Sequence, residues 1–318
     1  MPRPPKLTEH QRNRLRELEP RLCLAVCRGD DETAKCLVGS IQRLLRPTGH
    51  ETRLMQAKNW YWEATLEAGK LKTAELGFIG VRKKVGTGTR IYLEATALLA
   101  ICYIRQRELE KAKPHIAETL QRVRSIQSLQ QRDRFRRRVV HRFEEESVIV
   151  GLHGMGSDIL DVNEIDAKVG PVVERTDERE IFRSLGNVVP AETLDILQEV
   201  RNYSRALLTQ DERRALPSPQ TLARAIDHGE TVFSALRRAV WRGLCDRESE
   251  IYQDWLQRGL KALLGDKKLT AAVTAALAGM KIGYMWIAVY VTALVLRLGI
   301  EVYCDRYEPK PIMYSRTG

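Results

Sequence analysis

Three eleven-residue stretches constrain this chain more than any total does. RGDDETAKCLV occupies residues 28–38, AGKLKTAELGF 68–78 and QRELEKAKPHI 106–116. Aligned, they put Ala34, Ala74 and Ala112 in one column, with Val38, Phe78 and Ile116 four residues later. A small residue followed by an apolar one at i+4 marks one face of a helix. Gly29 and Gly69 stand five positions before the alanine in two copies, and Arg107 takes that place in the third.

An apolar helix precedes each copy. Its face is Leu15, Leu18, Leu22 and Ala25 before the first, and Leu54, Ala57, Tyr61 and Ala64 before the second. Before the third come Leu93, Ala97, Ala100, Ile101 and Ile104. Each stretch therefore reads as the turn and second helix of a helical hairpin, with the alanine small because two helices cross closely there. Arg46-Pro47-Thr48-Gly49 and Gly86-Thr87-Gly88-Thr89 punctuate the copies as turns.

The pattern resembles the tetratricopeptide (TPR) repeat, a helix pair of about 34 residues. Leu99, Ala100, Tyr103, Ala112 and Ile116 fall at that family's spacing in the third copy, and Tyr61, Trp62, Gly69, Ala74 and Phe78 follow it in the second. The units here are longer, and Pro114 inside the last helix predicts a kink. The resemblance covers residues 10–125 and implies a short α-solenoid whose concave surface holds a protein partner.

Residues 126–176 follow as a basic helix and an irregular joint. RDRFRRRVVHRFEEE, 132–146, repeats Phe135, Val139 and Phe143 every four residues and carries Arg132, Arg134, Arg136, Arg137, Arg138 and Arg142. A chain with net charge +11 suits anionic partners. The six arginines are the candidate polyanion-binding set for a nucleic acid or lipid headgroups. The other reading is a solvated helix whose arginines pair with Glu144, Glu145 and Glu146. Arg136 and His141 fit R-x4-H, which resembles the HEPN ribonuclease motif and implies an arginine on the scissile phosphate and a histidine moving a proton. They are the only catalytic candidates, and nothing else in the sequence asks for an enzyme.

The remaining motifs exclude more than they suggest. Gly151-Leu-His-Gly-Met-Gly156 lacks the strand–glycine–helix setting of a nucleotide loop. Asp158, Asp161, Glu164 and Asp166 read as helix caps and surface acids, because no EF-hand loop surrounds them. The six histidines form no HxxxH, and the six cysteines no CxxC, so no metal or cofactor is implied. The first twenty residues lack the apolar core of a signal peptide, which predicts a reducing, cytosol-facing location.

Amphipathic helices resume over 177–268, interrupted at LPSPQ, 216–220. Residues 269–304 stand apart, with only Lys281, Arg297 and Glu301 charged. They predict one largely continuous, strongly hydrophobic helix, followed by a tail over 305–318. Ala271, Ala275, Gly279 and Gly283 step by four, a small-residue ladder expected to line a helix contact. Residues 282–303 are long enough to cross a bilayer as a helix, with Arg297 and Glu301 neutralising each other one turn apart. A helix buried in a soluble bundle is the other reading.

The expected fold is mainly α: a short TPR-like solenoid, then an α-helical C-terminal region with one strongly hydrophobic helix. The expected function is a non-enzymatic protein-interaction module coupled to membrane association through 282–303, an order of parts that a bacterial membrane-acting effector would share. Two alternatives stand beside it: a soluble RNA-binding or HEPN-like RNA-cleaving protein centred on 132–142, and a soluble cytoplasmic scaffold. A second copy of the chain is a further partner class.

Overall fold

A computed structural model describes residues 4–156, 159–214, 216, 224–247, 249, 251–253, 257 and 267–312. Asp158, most of LPSPQ, most of residues 249–264 in the expected amphipathic region and the last six residues of the tail lie outside the described residues. The described residues are mainly α-helical, and their strand structure amounts to one two-residue pairing. They form two compact units. One comprises residues through Val140 with Ala206–Leu208 and the segment from Lys310; the other comprises His141–Arg205 and Thr209–Pro309.

The first unit is built from three helix pairs: α1 (Glu9–Arg28) with α2 (Asp31–Leu45), α3 (Glu51–Glu67) with α4 (Leu71–Lys84), and α5 (Arg90–Arg105) with α6 (Leu109–Arg122). Successive helices pack together, and α3 also packs on both α1 and α5. Thr8 starts α1 with a reciprocal capping box to Gln11, and Asp30 and Thr89 cap α2 and α5 through their side-chain oxygens. The helix α6 runs on through Pro114 to Arg122.

The turn inside each pair closes the same way three times. Gly29, Gly69 and Arg107 all have left-handed backbones, with φ of 68°, 79° and 60°. In each turn the next residue's N–H reaches back five positions, from Asp30 to Ala25, Lys70 to Thr65 and Glu108 to Tyr103. This closure satisfies carbonyls that a helix end leaves unpaired, and it needs a positive φ. The next helix then begins with the N–H of Ala34, Ala74 or Ala112 bonding four residues back. All three alanines are fully buried.

The second unit packs its apolar side chains around residues 285–298. Its other described helices are the C-terminal half of α7 (Leu129–Leu152), α8 (Val162–Arg175), α9 (Glu178–Asn187), α10 (Ala191–Ala206) and α12 (Arg224–Cys245), with the short α11 (Gln210–Arg214) and the helices Lys268–Gly279 and Ile300–Arg306. Helices α9 and α12 touch backbone to backbone. A Cβ on Gly186 would lie 1.8 Å from the Ala225 carbonyl oxygen, and one on Gly229 1.9 Å from that of Phe182. Cys245 and Cys304 form a disulfide across 59 residues, a pairing the cysteine spacing did not suggest.

Two expectations about chain continuity are corrected. Residues 147–176 are largely helical, through Leu152 and again from Val162 to Arg175. Between them the GLHGMG glycines turn the chain so that Met155–Gly156 pairs in parallel with Ile282–Gly283, while Gly154 N–H donates to the Lys281 carbonyl. Residues 269–304 are not one helix. Lys281 adopts a left-handed φ of 55°, Ile282–Gly283 is extended, and Gly299, at φ 78°, introduces a 95° bend. Among the described residues no single helix is long and apolar enough to cross a membrane, although Met285–Leu298 and Ile300–Arg306 together pass by length and composition. Eight residues of Met285–Leu298 are buried within this unit. Arg297 does not turn to Glu301 for its bonds; its guanidinium donates to the carbonyls of Val173 and Thr176 at the end of α8, where a cation complements the helix dipole.

Three consecutive glutamates of α7 are buried in this unit: Glu144, Glu145 and Glu146. Successive helical residues are about 100° apart, so one neighbouring helix cannot serve all three. Arg201 of α10 binds Glu144 through two bonds, 3.1 and 3.2 Å, and also reaches Asp227 and Thr231. Glu145 accepts from Ser234 and Arg237 of α12, and burial still pushes its carboxyl pKa up. Glu146 sits between Arg142, 2.7 Å, and Arg238, 2.8 Å.

Candidate functional site

The helices α2, α3 and α4 enclose a groove of about 580 Å³ in the first unit. Its floor follows from two glycines one turn apart on α4. The indole of Trp62, on α3, lies flat against Gly77, where any Cβ would sit 2.1 Å from the ring. At Gly80 a Cβ would meet nothing within 4 Å, so the missing side chain leaves open space. Buried Leu54, Met55 and Val81 complete the floor, and Leu76 stands at the rim with 70% of its surface exposed. Three cations, Arg46, Lys58 and Lys84, line the groove against one carboxylate, Glu51. Gln42 and Thr73 supply an amide and a hydroxyl. Such a lining suits holding an apolar group with acidic flanks.

This groove was not singled out from sequence. The available signal was a pair of glycines three apart inside an amphipathic helix, where glycine is disfavoured by about 1 kcal/mol against alanine.

The six arginines of α7 do not form one face. Arg136 and Arg142 are buried, at 4% and 7% exposure, and pair with Asp133 and Glu146. Arg132 donates to the carbonyls of Ile126 and Arg124, and Arg138 to that of Ile312. Arg134, Arg137 and Arg138 are exposed, Arg137 with a long 3.5 Å contact to the Asp133 carbonyl. The R-x4-H residues also part: Arg136 is buried while His141 is exposed, as expected for positions about 140° apart around a helix. The geometry supplies no paired phosphate ligand and proton donor there.

The small-residue ladder does not line a contact within its unit. Ala275 and Gly279 are exposed, Ala271 is half-buried, and Gly283 belongs to the extended pair with Gly156. The packed face of Lys268–Gly279 is Leu269, Ala272, Val273 and Leu277. Among the described residues no cluster of three or more His, Cys, Asp or Glu side chains could hold a metal ion.

Comparison with protein-family models, with characterised proteins and with solved structures gives no match to this chain.

Proposed function

We propose that the N-terminal helix pairs form a protein-interaction module, and that the groove between α2, α3 and α4 seats a partner segment carrying an apolar side chain between acidic residues. The observation that carries this reading is the open, glycine-floored cleft with an exposed Leu76 and three cations at its edge. An apolar anchor in a pocket supplies most of the affinity of such contacts, while rim charges select the partner and speed encounter. The likeness to tetratricopeptide repeats supports the same assignment.

Gly80→Phe tests it. A Cβ at this groove-lining position meets no heavy atom within 4 Å, which leaves room for a ring, and replacing a helical glycine tends to stabilise α4. Peptides selected from an unbiased display library against wild type should share an apolar residue with acidic neighbours. Gly80→Phe should lose them at least tenfold while melting no lower than wild type, and Lys58→Glu with Lys84→Glu should lose the acidic preference. Equal binding by wild type and Gly80→Phe would remove the groove as the site.

A further inference from the structure

The first unit also contains Lys310–Ile312, and the way Ile312 is held is unusual. Its side chain is 2% exposed. Its N–H donates to Glu63 Oε1 at 2.9 Å, and its carbonyl accepts from Arg138 Nη1 at 2.8 Å. Glu63 belongs to α3 and is itself buried, at 3% exposure; Arg138 belongs to α7. One residue's two backbone groups are thus taken by an acid and a base from different helices, with its side chain sunk in the core.

That arrangement is more than a buried loop needs. A buried backbone group requires a partner, but a neutral one suffices. Burying a carboxylate is costly unless it is well compensated. Burial pulls the Arg138 pKa down, and the nearby charge of Glu63 works against that fall, so the two groups sense each other. Here the backbone of Ile312 lies between them, its N–H on the acid and its carbonyl on the base. Groups placed in this way recognise any extended backbone, while the pocket for the side chain selects what it carries.

We propose that Glu63 and Arg138 form a clamp for an extended peptide, that Lys310–Ile312 is its displaceable internal occupant, and that a partner segment presenting a branched apolar residue directly after a proline competes for the same place. Pro311 and Ile312 are that pair in the chain itself, both buried. The clamp shares no residue with the groove between α2, α3 and α4, so either site can fail without the other.

The probe is a fluorescent octapeptide, EPKPIMYS, copying residues 308–315. A site occupied from within in 90–99% of molecules shows an apparent affinity about 10- to 100-fold weaker than the open site. Full-length Ile312→Asp, whose own segment cannot seat, should therefore bind the peptide about 10- to 100-fold more tightly than wild type. Adding Glu63→Leu or Arg138→Leu should abolish that gain, and a peptide with Asp in place of the isoleucine should not bind. Tight binding that ignores both clamp residues, or no gain in Ile312→Asp, overturns the proposal. Amide exchange on the wild type keeps the test independent of variant folding. Peptide at about millimolar concentration, comparable to a tethered segment, should speed exchange at Ile312. Unchanged protection there overturns the proposal equally.

Discussion

Gly69→Ala isolates what the repeated turn demands of the backbone. At φ 79° the residue is left-handed, and a Cβ built there meets no heavy atom within 4 Å. The variant therefore adds no clash, and only the conformation changes in energy. An L-residue in this region costs about 1–2 kcal/mol, from which the lower entropy of an alanine in the unfolded chain returns about 0.4–1 kcal/mol. The expected net loss is about 1 kcal/mol. Gly29→Ala should lose more, because its Cβ would press to 3.3 Å from the Glu67 carbonyl oxygen. Arg107→Gly runs the other way: at φ 60° it relieves strain, offset by whatever contacts the arginine makes. Urea denaturation followed by far-UV circular dichroism reads the series. With a slope of about 2–3 kcal/mol per molar, 1 kcal/mol moves the midpoint by about 0.3–0.5 M. If Gly69→Ala unfolds at the wild-type midpoint, the turn does not close through a left-handed residue, and the shared geometry of the three turns is refuted.

Other outcomes follow from buried charge. Burial raises the Glu94 carboxyl from 4.5 to about 8, with Gln56, Arg90 and Asn59 opposing the shift and Glu63 adding to it. Between those values the folded chain holds a proton that the unfolded chain has lost, so stability falls as pH rises through the window. Glu94→Gln should flatten that fall and melt above wild type at pH 8 but not at pH 4; parallel melting curves at both would refute it. Arg201→Ala leaves the buried Glu144 without its guanidinium, with the partly exposed Asp227 losing the same partner, and should destabilise by about 3–5 kcal/mol, whereas Arg201→Met with Glu144→Leu should cost far less in the same melt. If the chain binds polyanions through α7, Arg134→Gln with Arg137→Gln should lower the log–log salt slope by no more than about 2. Arg136→Gln should lower the melting temperature instead, and a reduced slope with an unchanged melt would show that Arg136 reaches the ligand.

The repeated column made the helix pairs legible because it records two local demands: a small residue at each crossing and a left-handed residue at each turn. Ala34, Ala74 and Ala112 are buried, and Gly29 and Gly69 take positive φ. That Arg107 adopts the same conformation could be read only weakly, since arginine does not announce it. The triple glutamate of α7 was legible as a partner for arginine, and Arg142 does pair with Glu146. Its main partners, Arg201, Arg237 and Arg238, lie more than fifty residues away and come together only through packing. Periodicity misjudged 269–304 because apolar composition reports burial without reporting continuity; Lys281 and Gly299 break the helix through backbone angles that composition does not encode. For a related reason periodicity does not tell which arginines of the basic helix face a core. The groove and the clamp were beyond it altogether. Both depend on what lies across from a residue: Trp62 over Gly77, and Glu63 and Arg138 on either side of Ile312. Sequence fixes the order of side chains along one helix, but only the distance between helices decides which of them meet.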